Sequence, residues 1–563
     1  MAAKKSKDKD TVEYPRVIPD EHDWPIYKIS SRREQLIEEV IAETMEHYTQ
    51  QGGEGERNFT RIADAYYQER VRMKDNPWKV DRRDEPAFWR RIKLALQRSA
   101  EGGTVDEKAV EKILHQVVDR YTNEIAGDFR IRTYRFARWA TNFGFTRLFN
   151  AIRLRPFRRK KGEKRMKLTE KMQLTGYTEE IRALSKKGVV ILVPTHFSNL
   201  DSIVIGWAIE ALGLPAFTYG AGINLFGHPI LSYFMARLGA FRLDRRKKNE
   251  IYLTNLKLYT EIVLRKGGHM LFFPGGTRSR SGSIETKLKL GLLGTAIEAQ
   301  RKLILEDPEN YRRIYVVPLV MSYNTTLEAT ALINQFLKKE GKERYILVKD
   351  DFRSTRKTIK YIFNFLRSRS SMVFSFGKPM DLFGNEVNGE GISLDKQGRV
   401  IDLADYYQSN GEIVRDSQRS YAYTRLLGER ILASYYRENI VFSSHLVAFT
   451  AFQFLLQTQQ KDLYGLLTVA EEDLVMPYDD FAASVERLHL RLREMELQGK
   501  VRLGEDMRHS IPNIVRHGIE YLGTYHLKKP LTFDKAGNVI TEDLRVLYFY
   551  HNRLNGYDLE KYL

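Results

Sequence analysis

The sequence predicts an α/β protein with a mostly parallel sheet, flanked by mainly helical N- and C-terminal regions. Short apolar, β-branched runs alternate with helical periodicity between residues 188 and 376. Helical patterns without strand signals precede Lys187, and mainly helical patterns follow residue 401. We therefore predict an N-terminal helical region at 1–165, an α/β domain at 166–385 and a mainly helical C-terminal domain at 386–563.

The composition limits the kinds of partner that the protein can bind and the kinds of catalytic or metal site that it can contain. A chain of 563 residues with 42% hydrophobic content is long enough for several folded domains. Lysine and arginine number 91 against 72 acidic residues, a net charge of +19, which indicates an anionic partner: nucleic acid, an acidic membrane surface or a phosphorylated substrate. The chain has no cysteine, which excludes disulfides, zinc–thiolate sites and cysteine nucleophiles.

The N-terminal region contains two clear helical patterns, at 31–48 and 106–121. No secretory signal is visible at its start, and no apolar run reaches the length of about 18 residues expected of a membrane span. The nearest candidate, 441–456, contains polar residues and is predicted to be a buried helix. Any membrane contact is therefore expected to be peripheral.

The segment 130–161 interleaves aromatic and basic side chains and contains no acidic residue. An aromatic face beside a basic face is typical of an interfacial helix on anionic lipid. Two other interpretations stay open: a core helix with solvated arginines, and a nucleic-acid stripe with stacking aromatics. The candidate membrane contacts are Phe136, Trp139, Phe143, Phe149, Arg158 and Arg159.

Strands are predicted at 188–193, 215–219, 240–243, 269–273, 314–323, 344–349 and 371–376. Helices fall between several of them, for example at 250–265, where Gly267 provides the stop signal. The C-terminal region adds an amphipathic helix at 481–497 and two similar hairpins at 392–401 and 531–540. A helix followed by a hairpin in a basic protein also hints at a winged helix, which keeps a nucleic-acid hypothesis open.

The most informative stretch is 193–202, where the first predicted strand turns into a helix. His196 and Asp201 lie on this turn, at the carboxyl end of the strand, where open α/β sheets place their chemistry. A histidine held by a carboxylate is a general base, because the carboxylate fixes the tautomer and stabilises the imidazolium. The pair alone is weak evidence, since a capping aspartate beside an incidental histidine would look the same.

Three later stretches strengthen the interpretation. Residues 239–245 run from a strand into Arg245, whose guanidinium suits a phosphate. Residues 272–282 run from a strand into glycines, hydroxyls and arginines, a pattern that brings backbone N–H groups and positive charge to an anion. Residues 316–320 form an apolar strand interrupted by Pro318. We find no G-x-S-x-G elbow, no P-loop and no H-E-x-x-H motif.

These four stretches, in this order, resemble the motifs of the glycerolipid acyltransferase superfamily. Thr195–His196 with Asp201 resembles its first motif, 239–245 its second, 273–280 its third and Val317–Pro318 its fourth. The residues 226–229 and 289–291 also stand where the superfamily has similar ones, and the match covers roughly residues 177–379. The long flanks are similar to those of the large bacterial and mitochondrial glycerol-3-phosphate acyltransferases.

The resemblance implies a reaction and a site. His196 and Asp201 would be catalytic, and His196 would deprotonate a glycerol hydroxyl that attacks the thioester of acyl-CoA or acyl carrier protein. The implied substrate-binding residues are Arg245, Gly275, Gly276, Thr277, Arg278, Arg280, Lys289 and Pro318. No metal and no bound cofactor would be required. The implied partners are glycerol 3-phosphate, the acyl carrier and an anionic phospholipid surface at the cytoplasmic face, with no nucleic acid expected.

One position departs from the superfamily pattern. The third motif usually carries a glutamate before its second glycine, and this chain has Gly275 there. The departure puts the acceptor in question, and with the basic composition three alternatives stay open. These are a lysophosphatidate acyltransferase, an acyltransferase that has lost its activity, and a non-catalytic basic protein that binds membranes or nucleic acid.

Overall fold

A seven-stranded, mostly parallel sheet lies at the centre of the structure, as the sequence predicts. The computed structural model describes residues 14–49, 54–101, 104–140, 172–223, 226, 229–326, 328–339, 372–523, 526 and 528–563. The strand order is β1-β7-β6-β2-β5-β3-β4. The strands are β1 (Met172–Gly176), β2 (Val189–Pro194), β3 (Thr218–Gly222), β4 (Ala240–Leu243), β5 (Met270–Leu271), β6 (Ile314–Tyr323) and β7 (Met372–Phe376).

The directions of these strands place several loops at one edge. Strands β6, β2, β5, β3 and β4 run parallel to one another. Strand β7 pairs antiparallel with β6, and β1 pairs parallel with β7. The loops that follow β2, β5 and β4 therefore leave the sheet at the same edge. Strands β2 and β6 are buried along their whole length, which is why both read as continuous apolar runs.

Helices precede the sheet in the sequence and also connect its strands. Those of the N-terminal region are α1 (Pro25–Ser31), α2 (Arg33–Thr49), α3 (Glu54–Asp75), α4 (Glu85–Arg98) and α5 (Glu107–Ile125), followed by a helical segment at 131–140. Those between the strands are α6 (Thr178–Lys187), α7 (Asp201–Ala211), α8 (Pro229–Arg237), α9 (Glu250–Arg265), α10 (Gly291–Glu306) and α11 (Ala329–Lys339). Helices α2, α3 and α5 pack against α9, so the N-terminal region rests directly on the α/β layer.

The C-terminal region is mainly helical. Its helices are α12 (Ser417–Glu438), α13 (Ser443–Gln459), α14 (Leu463–Leu466), α15 (Tyr478–Leu497), α16 (Ile511–Leu522) and α17 (Leu544–His551). Its short strands are β8 (Glu386–Val387), β9 (Ser393–Leu394), β10 (Gln408–Ser409), β11 (Glu412–Ile413), β12 (Ile440–Val441), β13 (Val475–Met476), β14 (Arg502–Leu503), β15 (Thr532–Phe533) and β16 (Val539–Ile540). Both predicted hairpins form, with left-handed glycines at Gly398 and Gly537.

The three predicted regions share one apolar core. A single cluster of buried side chains includes residues from the N-terminal helices, the sheet and the C-terminal helices. The division of the chain into three domains stays a prediction. The stretch 441–456 lies mostly in the buried helix α13, and in the described ranges no helix is long and apolar enough to cross a membrane.

Several strand predictions need correction. Strand β1 precedes Lys187, where no strand was expected, because Met172–Gly176 is an edge strand stabilised by pairing with the distant β7. The strand predicted at 215–219 lies at Thr218–Gly222, and the one predicted at 269–273 shrinks to Met270–Leu271. The prediction at 344–349 lies outside the described residues.

Candidate active site

The turn between β2 and α7 brings His196 and Asp201 together. The His196 Nδ1 lies 3.0 Å from the Asp201 Oδ2, although the two residues are five positions apart. The same Oδ2 accepts hydrogen bonds from the Phe197 and Ser198 N–H groups at 2.7 and 2.8 Å. The Asp201 Oδ1 accepts a bond from the Tyr323 hydroxyl at 3.2 Å. This buried carboxylate therefore folds the turn around itself and fixes the imidazole at the same time.

The imidazole of His196 is held on several sides and still reaches the surface. Its side chain is 18% exposed, and its ring stacks on Phe273 with 4.0 Å between centroids. The His196 carbonyl accepts a hydrogen bond from the Ser279 N–H at 2.7 Å. Because Nδ1 donates to Asp201, the Nε2 carries the free lone pair that a general base needs.

The loop after β5 lies directly beside this turn. Its Gly276 has a φ of +78°, and the Gly276 N–H donates to the Phe273 carbonyl. The Lys289 side chain packs over Gly276, where an added Cβ would lie 3.0 Å from the Lys289 Cγ. Thr277, Arg280 and Lys289 are exposed. Within the described residues neither Arg280 nor Lys289 has an ion pair, so both cations are available to an anion.

A buried carboxylate that the sequence analysis missed joins this loop to the His turn. The Glu328 Oε2 accepts a bond from the Ser198 hydroxyl at 2.8 Å, and its Oε1 accepts one from the Asn199 N–H at 3.0 Å. The Arg278 Nη1 lies 3.5 Å from the same Oε1. Arg278 is therefore held beside the His turn. Glu328 follows β6 and lies far from the His turn in the sequence, so no local pattern in the sequence connects the two.

Arg245 leaves the same sheet edge farther away. It follows β4, which stands three strand positions from β2, roughly 14 Å across the sheet. Its side chain is exposed and makes no hydrogen bond or ion pair with the described residues. The structure therefore places Arg245 on the edge that carries His196, and it does not bring the two side chains into contact.

A cluster of buried charges anchors the Arg245 loop to the N-terminal helices. The Lys247 Nζ donates to the Glu124 Oε2 at 2.7 Å and lies 3.5 Å from the Glu85 Oε1. The neighbouring Arg246 donates to the Asp244 Oδ2 at 2.7 Å and also pairs with Asp81. Burial lowers the pKa of Lys247, but the surrounding carboxylates outweigh it and raise that pKa overall. Residues 246 and 247 therefore point inward, which leaves Arg245 at the surface.

Pro318 and the C-terminal residue Arg553 lie behind the site. Pro318 is buried in β6 opposite Val193, and its carbonyl accepts a bond from the Gly377 N–H at 2.8 Å. Its assignment to substrate binding stays a prediction. The buried Arg553 donates to the Met321 carbonyl at 2.9 Å, and its guanidinium lies 4.1 Å from the centroid of the Phe197 ring. Burial lowers the pKa of Arg553, while Glu285 and Asp201 act to raise it.

An exposed aromatic patch lies on the described part of the basic segment. Phe136 and Trp139 are 52% and 57% exposed. The Phe136 ring stacks on Phe234 of α8, next to the exposed Tyr233. We call Phe136, Trp139, Tyr233 and Phe234 the aromatic patch. The other candidate membrane contacts, Phe143, Phe149, Arg158 and Arg159, lie outside the described residues.

Metal-binding geometry is absent from the part of the chain that the structure describes: no group of three or more histidine, aspartate or glutamate side chains there could hold an ion. The polar groups at the sheet edge are instead a histidine–aspartate pair and several cations.

Comparison with known proteins identifies similar chains. A sequence model of the Acyltransferase family matches residues 177–322. The glycerol-3-phosphate acyltransferase of Alteromonas mediterranea is 25% identical over 57% of this chain and 35% of its own length. That of Pseudoalteromonas atlantica is 26% identical over 48% of this chain and 29% of its own length. The chain thus spans well under half of these relatives' length.

Among solved structures, the 1-acyl-sn-glycerophosphate acyltransferase of Thermotoga maritima matches with a TM-score of 0.24 and 14% sequence identity. That match covers 67% of this chain and 95% of the Thermotoga maritima chain.

Proposed function

We propose that the protein belongs to the glycerolipid acyltransferase superfamily and acylates glycerol 3-phosphate; the match of residues 177–322 to the Acyltransferase family model and the similarity to glycerol-3-phosphate acyltransferases support this proposal. The observation that carries the proposal is the Asp201-held His196, whose Nε2 has no partner among the described residues and which lies beside the loop that carries Arg280 and Lys289. This arrangement provides a base for a hydroxyl and an anchor for a phosphate. A glycerol 3-phosphate molecule carries both groups.

The proposed reaction needs one proton carrier. The His196 Nε2 removes the proton from a glycerol hydroxyl, and the resulting oxygen attacks the carbonyl carbon of an acyl thioester. The C–S bond breaks, and the imidazolium returns the proton to the leaving thiolate. Asp201 stabilises the imidazolium through Nδ1–H throughout. General-base assistance of this kind contributes about 10²–10⁴-fold to the rate.

Cations at the sheet edge bind the acceptor's phosphate in this proposal. Arg280 and Lys289 are exposed and unpaired within the described ranges, and Arg278 is held beside the His turn by Glu328. The backbone of residues 275–277 and the more distant Arg245 complete the set. A dianionic phosphate gathers such side chains because charge-assisted hydrogen bonds are stronger than neutral ones.

The acyl donor is proposed to be acyl-CoA or acyl carrier protein, with no bound cofactor. We further propose that the protein works at the cytoplasmic face of a membrane as a peripheral protein. The aromatic patch supports this location, because exposed aromatic rings beside arginines suit the headgroup region of anionic lipid. Glycerolipid products leave the enzyme into such a surface.

A product analysis tests the proposed function and its acceptor. The purified full chain is incubated with radiolabelled palmitoyl-CoA and either glycerol 3-phosphate or 1-acylglycerol 3-phosphate, and palmitoyl-loaded acyl carrier protein serves as a second donor. We expect labelled lysophosphatidate from glycerol 3-phosphate. If label appears only in phosphatidate made from 1-acylglycerol 3-phosphate, the acceptor is the lyso lipid and not glycerol 3-phosphate. If no labelled lipid forms with either donor, the proposal is contradicted.

A further inference from the structure

Glu285, a buried carboxylate outside the proposed mechanism, contacts the backbone of the His turn. The Glu285 Oε1 accepts a hydrogen bond from the His196 N–H at 2.9 Å. Its second oxygen, Oε2, is buried and has no hydrogen-bond partner among the residues that the structure describes. A carboxylate with one unpaired buried oxygen is costly to keep, so its contact with the His196 N–H needs an explanation.

Gly275 provides the space that Glu285 occupies. A Cβ added at position 275 would lie 2.9 Å from the Glu285 Cγ and 3.2 Å from its Oε1. Gly275 is not among the glycines with a left-handed φ. Glycine is therefore required at 275 by the neighbouring side chain, and not by backbone conformation.

The fold of the loop brings positions 275 and 285 together. The Lys289 N–H donates to the Pro274 carbonyl at 2.6 Å, which closes the loop at its base. The Ser279 N–H donates to the His196 carbonyl at 2.7 Å, which attaches the loop to the His turn. The Glu285 carboxylate therefore enters from the far side of the loop into the space beside Gly275.

We propose that Glu285 is a positioning residue for His196, and that its carboxylate takes the place that a side chain at 275 would fill. Asp201 fixes the imidazole and the two N–H groups that follow it, while Glu285 fixes the N–H of His196 itself. The departure at Gly275 is therefore compensated within the same loop. This inference rests on the proposed function, because positioning matters for catalysis only if His196 is the base.

The charges around Glu285 determine when this contact is strongest. Burial raises the pKa of Glu285 to about 7, against the smaller lowering effects of the His196 N–H, its own backbone N–H, Arg553 and the His196 ring. Burial raises the pKa values of the nearby Tyr435 and Tyr436 hydroxyls, and the charge of Glu285 adds to that rise. A carboxylate accepts a stronger hydrogen bond than a neutral carboxyl group. The hold on His196 should therefore tighten as pH rises through about 7.

A reciprocal exchange of the two positions tests the proposal. We expect Glu285→Ala to lower kcat by about 10²-fold with little change in the KM for glycerol 3-phosphate. Glu285→Gln should retain most of the activity, because its amide oxygen still accepts the bond. Gly275→Glu should lower kcat in the native background, where it displaces Glu285, and should raise kcat in the Glu285→Ala background.

The matched control is Glu261→Ala, which removes a buried carboxylate from α9, away from the His turn. The proposal is overturned if Glu285→Ala turns over like the native chain or loses no more than this control. It is also overturned if Gly275→Glu brings no gain in the Glu285→Ala background. Circular dichroism of each variant distinguishes a variant that fails to fold from a folded variant in which His196 is misplaced.

A spectroscopic arm is independent of turnover. The chain is labelled with ¹⁵N-histidine, and the His196 amide signal is identified by its absence in His196→Gln. We expect the difference in this signal between the native chain and Glu285→Gln to change with pH, with a midpoint near pH 7. If the pH-dependent shift is seen but the chain transfers no acyl group, the proposed function is refuted and the contact between Glu285 and His196 is supported. An active chain without the shift would overturn the role of Glu285.

Discussion

Asp201 determines the geometry of the His turn more than any other residue. Its two oxygens accept four hydrogen bonds, one from the imidazole, two from backbone N–H groups and one from Tyr323. An asparagine could keep an oxygen at the Oδ2 position and turn its amide nitrogen toward the Tyr323 hydroxyl, which can also accept, but it lacks the negative charge that stabilises the imidazolium.

Asp201→Asn is therefore expected to lower kcat by between about 10² and 10⁴-fold, the range for loss of general-base assistance. The matched control is Tyr323→Phe, which removes one of the four bonds and leaves the imidazole contact intact. It should cost about 1 kcal/mol of stability and change kcat by less than about 10-fold. Steady-state kinetics and thermal unfolding of both variants give the comparison, and equal losses of kcat would contradict the role of Asp201.

The raised pKa of Glu285 has a consequence for stability as well. The folded state keeps the proton up to about pH 7, while the unfolded state releases it near 4.5. The native chain should therefore lose stability relative to Glu285→Gln as pH rises from 4.5 to about 7, by at most about 3 kcal/mol. Urea unfolding of both proteins at about pH 5 and about pH 8 measures this difference. A difference that does not change with pH would contradict the raised pKa.

The sequence predicted the site residues that lie on a recognisable motif. It did not predict those that contact the His turn from other loops. The spacing of His196 and Asp201 marked a strand-to-helix turn, and the structure brings their side chains together. Glu285 and Glu328 act on the same turn from other loops, where no local pattern distinguishes them from surface carboxylates. Their contribution depends on loop closure, which a sequence pattern does not encode.

At the scale of elements, the loop after β4 is held by its contacts with the N-terminal helices. Lys247 carries the buried contact to Glu124 of α5 and Glu85 of α4. Since β4 is an edge strand, this ionic cluster supplies the support that a second neighbouring strand would provide elsewhere in the sheet. The loop in turn carries Arg245.

Lys247→Met leaves the Glu124 carboxylate buried without its cation, while Glu85 keeps its ion pair with Arg72 at 3.2 Å, so we expect a loss of about 3–5 kcal/mol of stability. It should also raise the KM for glycerol 3-phosphate, because the Arg245 loop loosens. The neighbouring Lys248 is exposed, and Lys248→Met is the matched control, expected to change stability by less than about 0.5 kcal/mol. Denaturant unfolding compares the two variants. Equal stabilities would show that the cluster does not support the loop.

The elements themselves were predicted best where the pattern was purely local. The helix at 250–265 has the predicted bounds, because Asn249 caps its start and its apolar face is regular. The strand at 314–323 is likewise as predicted, since both of its faces are apolar. Strand β1 was missed because its mixed residues form a strand only through pairing with β7, nearly two hundred positions away.

At the scale of the whole molecule, distant parts of the chain meet around the sheet edge that carries His196. The C-terminal helix α17 packs against the loop after β5, where a Cβ at Gly282 would lie 2.1 Å from the Phe549 carbonyl oxygen. Arg553 follows that helix and lies against Phe197 of the His turn. Sequence similarity suggested a related C-terminal half, but only the folded chain shows that its residues contact the site.

The aromatic patch leads to a prediction about the whole molecule on a membrane. Phe136→Ser combined with Trp139→Ser should weaken binding to vesicles of anionic phospholipid by about 10-fold or more, because two apolar rings no longer enter the interface. The control is Tyr421→Ser, which removes a ring that is 65% exposed on α12. Vesicle pelleting measures both. Equal binding of the double variant and the native chain would show that this patch does not face the membrane.

The most direct test of the account is acyl transfer by His196→Ala. The imidazole is the proposed base, and its side chain is partly exposed at the end of β2, so its removal should leave the fold in place. We predict that this variant unfolds at the same temperature as the native chain, and that its transfer of labelled palmitate from palmitoyl-CoA to glycerol 3-phosphate falls by at least about 10²-fold. A folded His196→Ala variant that transfers palmitate at the native rate would contradict the account.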